Sequence, residues 1–462
     1  MKATLSASIP FLALLAGPSV FADVSFDAGA DFRVRQEISE NIPGLPGNPA
    51  AMMPKTSKDK LNHLRFRPRA WMRAETESFG LYLRVAEEFR EHVVDNGVPF
   101  KDRAYAFPDE AVIDNLYFEG RGLWDGFLDF RIGRQDLFDG RGSVFGLDRL
   151  VLDGAAYVGS RSCYADMARF TLRPTDADRI DIFALYDAGH NALRWGNDLS
   201  DKRPMNAIHP ADSDEMDEWG GGIVWHGGSD GSPEAVLPFR LYAVEKSNTP
   251  YDRFDGTRMG GKDLLTIGAW TRPRLADHLY LELEAAGETG HQDGDGHCEG
   301  YMAYGALECN GDFAGAPSYA RISAYFLSRE WDPMWARAPV DSELFQYGSL
   351  PGLGFWCNML YTRLTLGRTF GPRHSFCVYG GPMWAADNDH AGRLDGEEGS
   401  SYKGFLSAAR YDFPLLRAPK DAQGMDRLDI SGHLMAEVFV PGDYYESDRT
   451  AWFLRWELVA RF

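Results

Sequence analysis

Thr450–Phe462, TAWFLRWELVARF, is the stretch whose reading decides the fold. Trp452, Leu454, Trp456, Leu458, Ala460 and Phe462 fall on one side of a period-2 pattern, while Arg455, Glu457 and Arg461 fall on the other. Such alternation describes a β-strand with one oily and one charged face. The charged face fits poorly in a β-sandwich core, where unpaired charges are costly to bury. It fits the wall of a membrane barrel, with lipid on one side and a wet lumen on the other. An edge strand of a soluble all-β protein is the competing interpretation of this segment alone.

The amino-terminal end agrees. Met1-Lys2 is a short basic start, Ile9–Ala16 is mostly apolar, and Val20-Phe21-Ala22 precedes Asp23. That layout is a cleaved secretory signal peptide over residues 1–22. The apolar run is shorter than the roughly 20 residues a spanning helix needs. Residues 23–462 then read as one domain, because Gly 49 and Pro 25 punctuate the chain as turns and no linker breaks it. Aromatic residues are plentiful (Phe 29, Tyr 20, Trp 12), as two interfacial girdles require. A net charge of -20 argues against a nucleic-acid partner, which calls for a basic footprint.

The two-faced pattern recurs. Asp31, Arg33, Arg35 and Glu37 alternate with Phe32 and Val34; Arg65, Arg67, Arg69 and Arg73 alternate with Leu64, Phe66, Pro68 and Met72. Asp129 and Arg131 alternate with Leu128, Phe130 and Ile132; Arg321 with Ile322; His433 and Glu437 with Leu434, Ala436 and Val438. Helical spacing at i, i+3 and i+4 is missing from these segments. Short joins (Thr76–Gly80, Trp124–Gly126, Arg173–Asp178, Phe370–Arg373) alternate with long polar ones (Ser39–Asn62, His92–Ala111, Gly189–Glu218, Gly287–Pro317, Asp387–Ser401). The fold class is therefore all-β: a transmembrane, antiparallel, up-and-down β-barrel of about 18 strands, integral to a bacterial outer membrane. Glu330–Gly354 reads either as an irregular strand or as a loop folded into the pore, so 16 strands are also possible.

Arginine greatly outnumbers lysine, and many arginines take inward strand positions while the lysines fall mostly in the signal peptide and the expected loops. A guanidinium is a rigid fork that pairs bidentately with carboxylates. A ladder of them can hand an anion along without one tight site. The candidate lumen residues are Arg33, Arg35, Arg65, Arg67, Arg69, Arg73, Arg84, Arg131, Arg321, Arg363 and Arg455. Arg134 joins them although its parity is outward; either a bulge re-aims it or it stands above the membrane belt. The same arginines could instead pair with inward Glu88, Asp129, Glu282, Glu284, Glu437 and Glu457 to fill and solvate the lumen.

Other chemistry is weaker. His433 and Glu437 share a strand face, and His190 and His209 sit in a loop, but no hydroxyl nucleophile is placed beside them, so a channel is favoured over an enzyme. His291–Gly300, HQDGDGHCEG, lacks the 12-residue calcium pattern and reads as an external acidic loop. Five cysteines leave one over; Cys298 and Cys309 bracket that loop and are expected to form a disulfide, with no zinc spacing among the five. No metal or other cofactor is implied.

Phe130–Gly142, FRIGRQDLFDGRG, resembles the alginate-export family of outer-membrane porins, in which a strand with a Gly-Arg-Gln core precedes a loop. Leu152-Asp153-Gly154 looks like the strand start that follows in that family, and Trp331-Asp332-Pro333-Met334-Trp335 is similar to its aromatic-Asp-Pro segment. The family carries an arginine similar to Arg134. The resemblance implies an 18-stranded barrel, one pore per chain, passing an anionic polysaccharide, oligouronate or similar sugar by diffusion. A general or small-nutrient porin, and an outer-membrane enzyme or adhesin acting through its loops, are the alternatives. The aromatic carboxyl terminus resembles the strand by which outer-membrane proteins are recognised for insertion, which implies the barrel-assembly machinery and membrane lipid as partners.

Overall fold

The computed structural model describes residues 24–41, 60–87, 89–92, 110–135, 165–187, 194–196, 217–229, 236–252, 258–294, 296–313, 315–332, 334, 342, 344, 358–387, 400–417, 428–444 and 449–462. Eighteen antiparallel strands close into a barrel. In chain order they are β1 (Ser25–Glu40), β2 (Lys60–Glu75), β3 (Phe79–Glu87, continued by Phe89–His92), β4 (Glu110–Leu123), β5 (Leu128–Gln135) and β6 (Ala165–Leu172). Next come β7 (Arg179–Asp187), β8 (Glu218–Gly227), β9 (Phe239–Asn248), β10 (Lys262–Thr271), β11 (Leu279–Gln292) and β12 (Gly296–Phe313). The ring is completed by β13 (Ala316–Leu327), β14 (Met359–Gly371), β15 (His374–Trp384), β16 (Tyr402–Arg417), β17 (Asp429–Pro441) and β18 (Ala451–Arg461). Each strand pairs with its neighbours in sequence, and β1 pairs with β18 from Asp31↔Arg461 to Glu40↔Trp452, which closes the sheet.

Period 2 is what makes these segments strands. Along β1, Arg33, Arg35, Glu37 and Ser39 are buried inward while Phe32, Val34, Gln36 and Ile38 turn outward. Along β18, Phe453, Arg455 and Val459 are buried, and Leu454 on the alternate set is exposed. Around the ring the outward set is apolar and bare: Ile132, Ile182, Ile223, Ile267, Ile322, Leu364, Leu434 and Leu454 are all exposed. A continuous apolar girdle of this extent is incompatible with water and matches the lipid belt of an outer-membrane barrel. No helix among the described residues is long and apolar enough to cross a membrane.

Two sequence expectations change. Gly287–Pro317 reads as an external loop, yet β11 continues to Gln292 and β12 runs back from Gly296, with a turn at Asp293-Gly294 after β11. Cys298 and Cys309 consequently lie on one strand, eleven residues apart. That is roughly 37 Å at about 3.4 Å per residue, far beyond the ~4.4–6.8 Å Cα spacing of a disulfide. Their cross-strand partners are Gly290 and Leu279. The expected bond between them is excluded.

The described residues of Glu330–Gly354 (beginning at Glu330 and including Trp331, Asp332, Met334, Ser342 and Leu344) contribute no wall strand. Trp331, Met334 and Leu344 are buried in the cluster that contains inward Met302, Tyr304, Phe439 and Phe453. These residues are folded into the lumen. The signal peptide, Glu88, Cys163, Cys357, His190 and His209 lie outside the described residues.

Candidate pore lining

The basic wall is set by register. Arg33 faces Arg67, and Arg35 faces Arg65, directly across the β1–β2 ladder. Like charges placed directly opposite destabilise a sheet, so carboxylates are interleaved. Glu37 sits among Arg35 (2.9 Å), His63 (3.0 Å), Arg65 (3.1 Å) and Arg455 (2.6 Å), joining three consecutive strands of the ring. This knot is sealed: Arg65 is 0% exposed and Glu37 1%. Glu457 lies 3.7 Å from Arg33 and 3.6 Å from Arg35.

Toward the end of the barrel with short turns, the wall opens to the lumen. Arg67 and Arg69 both approach Asp31, at 3.7 and 2.9 Å. Arg73 and Arg131 share Glu119, at 2.6 and 2.9 Å, and each keeps about a third of its side chain exposed. Trp71 shares the inward parity of Arg69 and Arg73 on β2, and the register sets Tyr82 opposite Arg73 and Tyr117 opposite Tyr82. Arg84 is inward as well, its Nε donating to both carboxylate oxygens of buried Asp114 at 2.9 Å. A bulge in β4 at Asp114 makes that geometry possible, since the register skips from Asn115 to Ile113 there.

Arg134 stands opposite Leu116 and Asp166, in the outward set with Ile132. Its Nε and Nη2 donate to Asp166 (2.8 and 2.9 Å), and Nη1 donates to the Ile113 carbonyl (3.0 Å) beside the bulge. The bulge does not turn it inward; Arg134 is a wall residue and leaves the list of lumen candidates.

The far wall is acidic and aromatic. Glu284 accepts from the Tyr242 hydroxyl (3.0 Å) and Glu282 from the Trp270 indole (2.9 Å). Arg321 bonds Glu282, the Tyr304 hydroxyl and, at 3.1 Å, Glu308. Arg363 lies over the Tyr379 ring at 5.1 Å. The lumen is thus of mixed charge, with guanidinium groups dominating the β18–β5 side.

The in-folded segment is held at both ends by wall charges. Asp332 accepts from Lys246 and Lys262 (3.0 Å each), its own amide donates to Glu288 (2.8 Å), and Lys246 also donates to the Met334 carbonyl (2.5 Å). Burial raises the Asp332 carboxyl, but the ammonium groups of Lys246 and Lys262 outweigh it and hold it down at about 2. Gly300 permits the close approach, because a Cβ there would stand 2.9 Å from the Trp331 backbone and 2.7 Å from Glu288. On β17, Glu437 accepts from the Ser342 hydroxyl (2.9 Å) and the Leu344 amide (2.8 Å). The described residues therefore dock at two places on the wall, Asp332 and Met334 on β9–β11 and Ser342 and Leu344 on β17.

His433 points to Glu457 (3.6 Å) and not along the strand to Glu437, about 13 Å away at strand rise, so the pair forms no catalytic unit. Among the described residues no group of three or more His, Cys, Asp or Glu side chains is arranged to hold a metal ion. Sequence reasoning missed Lys246, Lys262 and Lys403 as inward anchors, Lys246 and Lys403 buried and Lys262 partly so; Lys403 sits at a β16 bulge and donates to the Asn358 carbonyl at 2.7 Å. It also missed Trp71, Tyr82 and Tyr117, although the parity of Trp71 with Arg69 and Arg73 was visible.

No family model and no curated protein matches the chain, the alginate-export family included. Solved structures do match. A BenF-like porin from Pseudomonas fluorescens superimposes with a TM-score of 0.53 at 9% identity, over 95% of this chain and 98% of that one. OccK2 (OpdF) from Pseudomonas aeruginosa, solved in complex with glucuronate, gives 0.51 at 10% identity over 94% and 97%. OpdK from the same organism, solved with vanillate, gives 0.51 at 11% identity over 94% and 98%. At such identities the likeness speaks for the fold alone. Taken with the closed ring and its lipid-facing girdle, it makes the chain an integral β-barrel of the bacterial outer membrane, with the fold of the porins.

Proposed function

We propose that the barrel is a passive porin for small anionic solutes, the carboxylate being the group its lumen handles. The observation that carries this reading is the inward row of β2, where Arg65, Arg67, Arg69 and Arg73 follow one another with only Trp71 between the last two. The row is sealed at Arg65 and progressively exposed from Arg67 through Arg69 to Arg73. Exposed guanidinium forks spaced along a wall pass a carboxylate from one to the next without a deep well. The crystal neighbours with glucuronate and vanillate agree in solute class. The segment anchored on Asp332 and Glu437 favours a small sugar acid or similar nutrient over an alginate-like polymer, whose chain would have to thread past it. The test is reversal potential in a planar bilayer, before and after Arg67, Arg69 and Arg73 are changed to Ser. Anion preference should fall; unchanged preference refutes the reading.

A further inference from the structure

Between the exposed arginines of β2 lies an aromatic surface. Trp71 lies flat on the wall: a Cβ at Gly29, its cross-strand partner, would meet three indole ring atoms at 2.6–2.9 Å. Glycine at that position is what allows the ring to lie down. The Tyr82 ring follows at 6.2 Å between centroids and 25° between planes, and Tyr117 follows Tyr82 at 5.2 Å and 25°. The Arg131 guanidinium caps the row, 4.3 Å above the Tyr117 ring. All three rings are half-buried and inward, so part of each meets the lumen.

Packing alone does not account for the row. The ordinary lumen solution on this wall is an arginine paired with a carboxylate, as at Arg69–Asp31 and Arg73–Glu119. Here a tryptophan interrupts the arginines and two tyrosines extend it sideways. Successive inward positions on a strand are about 7 Å apart. A six-membered ring resting on Trp71 would therefore place a carboxylate attached to it at Arg69 on one side or Arg73 on the other. Ring faces attract the C–H groups of a sugar and the π face of an arene alike, and guanidinium groups take the carboxylate.

Deepening the porin reading, on which it rests, we propose that Trp71, Tyr82 and Tyr117 form a subsite for solutes that carry a carboxylate directly on a six-membered ring. Uronic acids and arene carboxylates are the two sources of that chemistry.

The experiment uses the full barrel in a planar bilayer and measures solute residence time from current block. Glucuronate and benzoate are the ring carboxylates, succinate the acyclic control and glucose the uncharged ring. Wild type should hold a ring carboxylate longer than succinate or glucose. Trp71→Leu should shorten its residence about fivefold, the size of one aromatic contact, and leave succinate unchanged. Trp71→Phe, which keeps a ring over Gly29, should restore most of the difference. Loss for benzoate alone identifies the arene as the solute, and loss for glucuronate alone identifies the sugar acid; either supports the subsite. Equal residence of glucuronate, benzoate and succinate in wild type overturns it, as does an unchanged ring preference in Trp71→Leu. A barrel without anion preference would instead defeat the porin reading.

Discussion

Replacing Asp332 with Asn should release the inward-docked residues around Trp331–Met334 from the wall. The carboxylate joins two ammonium groups, Lys246 and Lys262, at 3.0 Å each, and its side chain is only 12% exposed. A hydrogen bond to a charged group contributes about 1.5–3 kcal/mol. Lys246 retains Glu218 at 3.3 Å, and the Asp332 amide still reaches Glu288, so part of the anchor survives. A net loss of ~3 kcal/mol is a reasonable figure, which lowers the docked-to-undocked ratio about 150-fold. Single-channel recording is the assay. Asp332→Asn should show a larger mean conductance with flicker between two levels, and should admit larger sugar acids than wild type. Wild-type conductance with a quiet baseline would refute the anchoring role. The pH dependence has a definite sign. Because the Asp332 carboxyl is held at about 2, below its ordinary range, its own contribution to docking is present above pH ~4 and lost as pH falls toward 2. Conductance should therefore rise as pH falls from about 4 toward 2.

Further outcomes can be checked on the same protein. Glu37→Gln leaves Arg35, Arg65 and Arg455 in a sealed site and should cost about 3–5 kcal/mol, read as a lower temperature for the shift between folded and unfolded bands on electrophoresis. Ile267→Arg places a charge on the lipid face midway along β10 and should cost about 2–4 kcal/mol, with reduced assembly into membranes; a solvent-facing position would tolerate it. Peptide mapping without reductant should find no fragment in which Cys298 and Cys309 are joined to each other. Arg134→Ser should leave anion preference where it was, since that side chain stands on the outward face with Asp166.

Much of this fold was legible because a membrane barrel prints its two environments on alternate residues. β1, β2 and β18 carry oil on one face and ions on the other, and their inward arginines follow from parity. Where the inner face is also apolar the print fades. In β12, inward Met302, Tyr304 and Ala306 pack beneath the in-folded segment, and outward Tyr301, Ala303 and Leu307 are apolar too. No alternation survives there, and the Asp- and Gly-rich tip around Asp293 looks like loop. The lysines misled for a related reason. Lys246 and Lys262 are strand residues whose partner, Asp332, comes from a segment remote in sequence, and no local pattern announces such a pairing. Arg134 misled only through the resemblance: parity already placed it outward, and the structure keeps it there beside Asp166.

The seam between β1 and β18 decides how wide the barrel is. Every backbone edge must be paired in lipid, so the first and last strands have to meet, but a slip of two residues would keep all outward side chains outward. Greasy residues cannot tell the registers apart. The charges can: the observed register sets Glu37 opposite Arg455 and Arg35 opposite Glu457. Slipping two residues one way would put Arg35 opposite Arg455, and the other way Glu37 opposite Glu457. Stagger at the seam is the shear of a closed sheet, and shear together with strand number fixes its radius and tilt. A few ion pairs at one join therefore act as the gauge for the bore, and changing their sign pattern is a way to resize it without touching the lipid face.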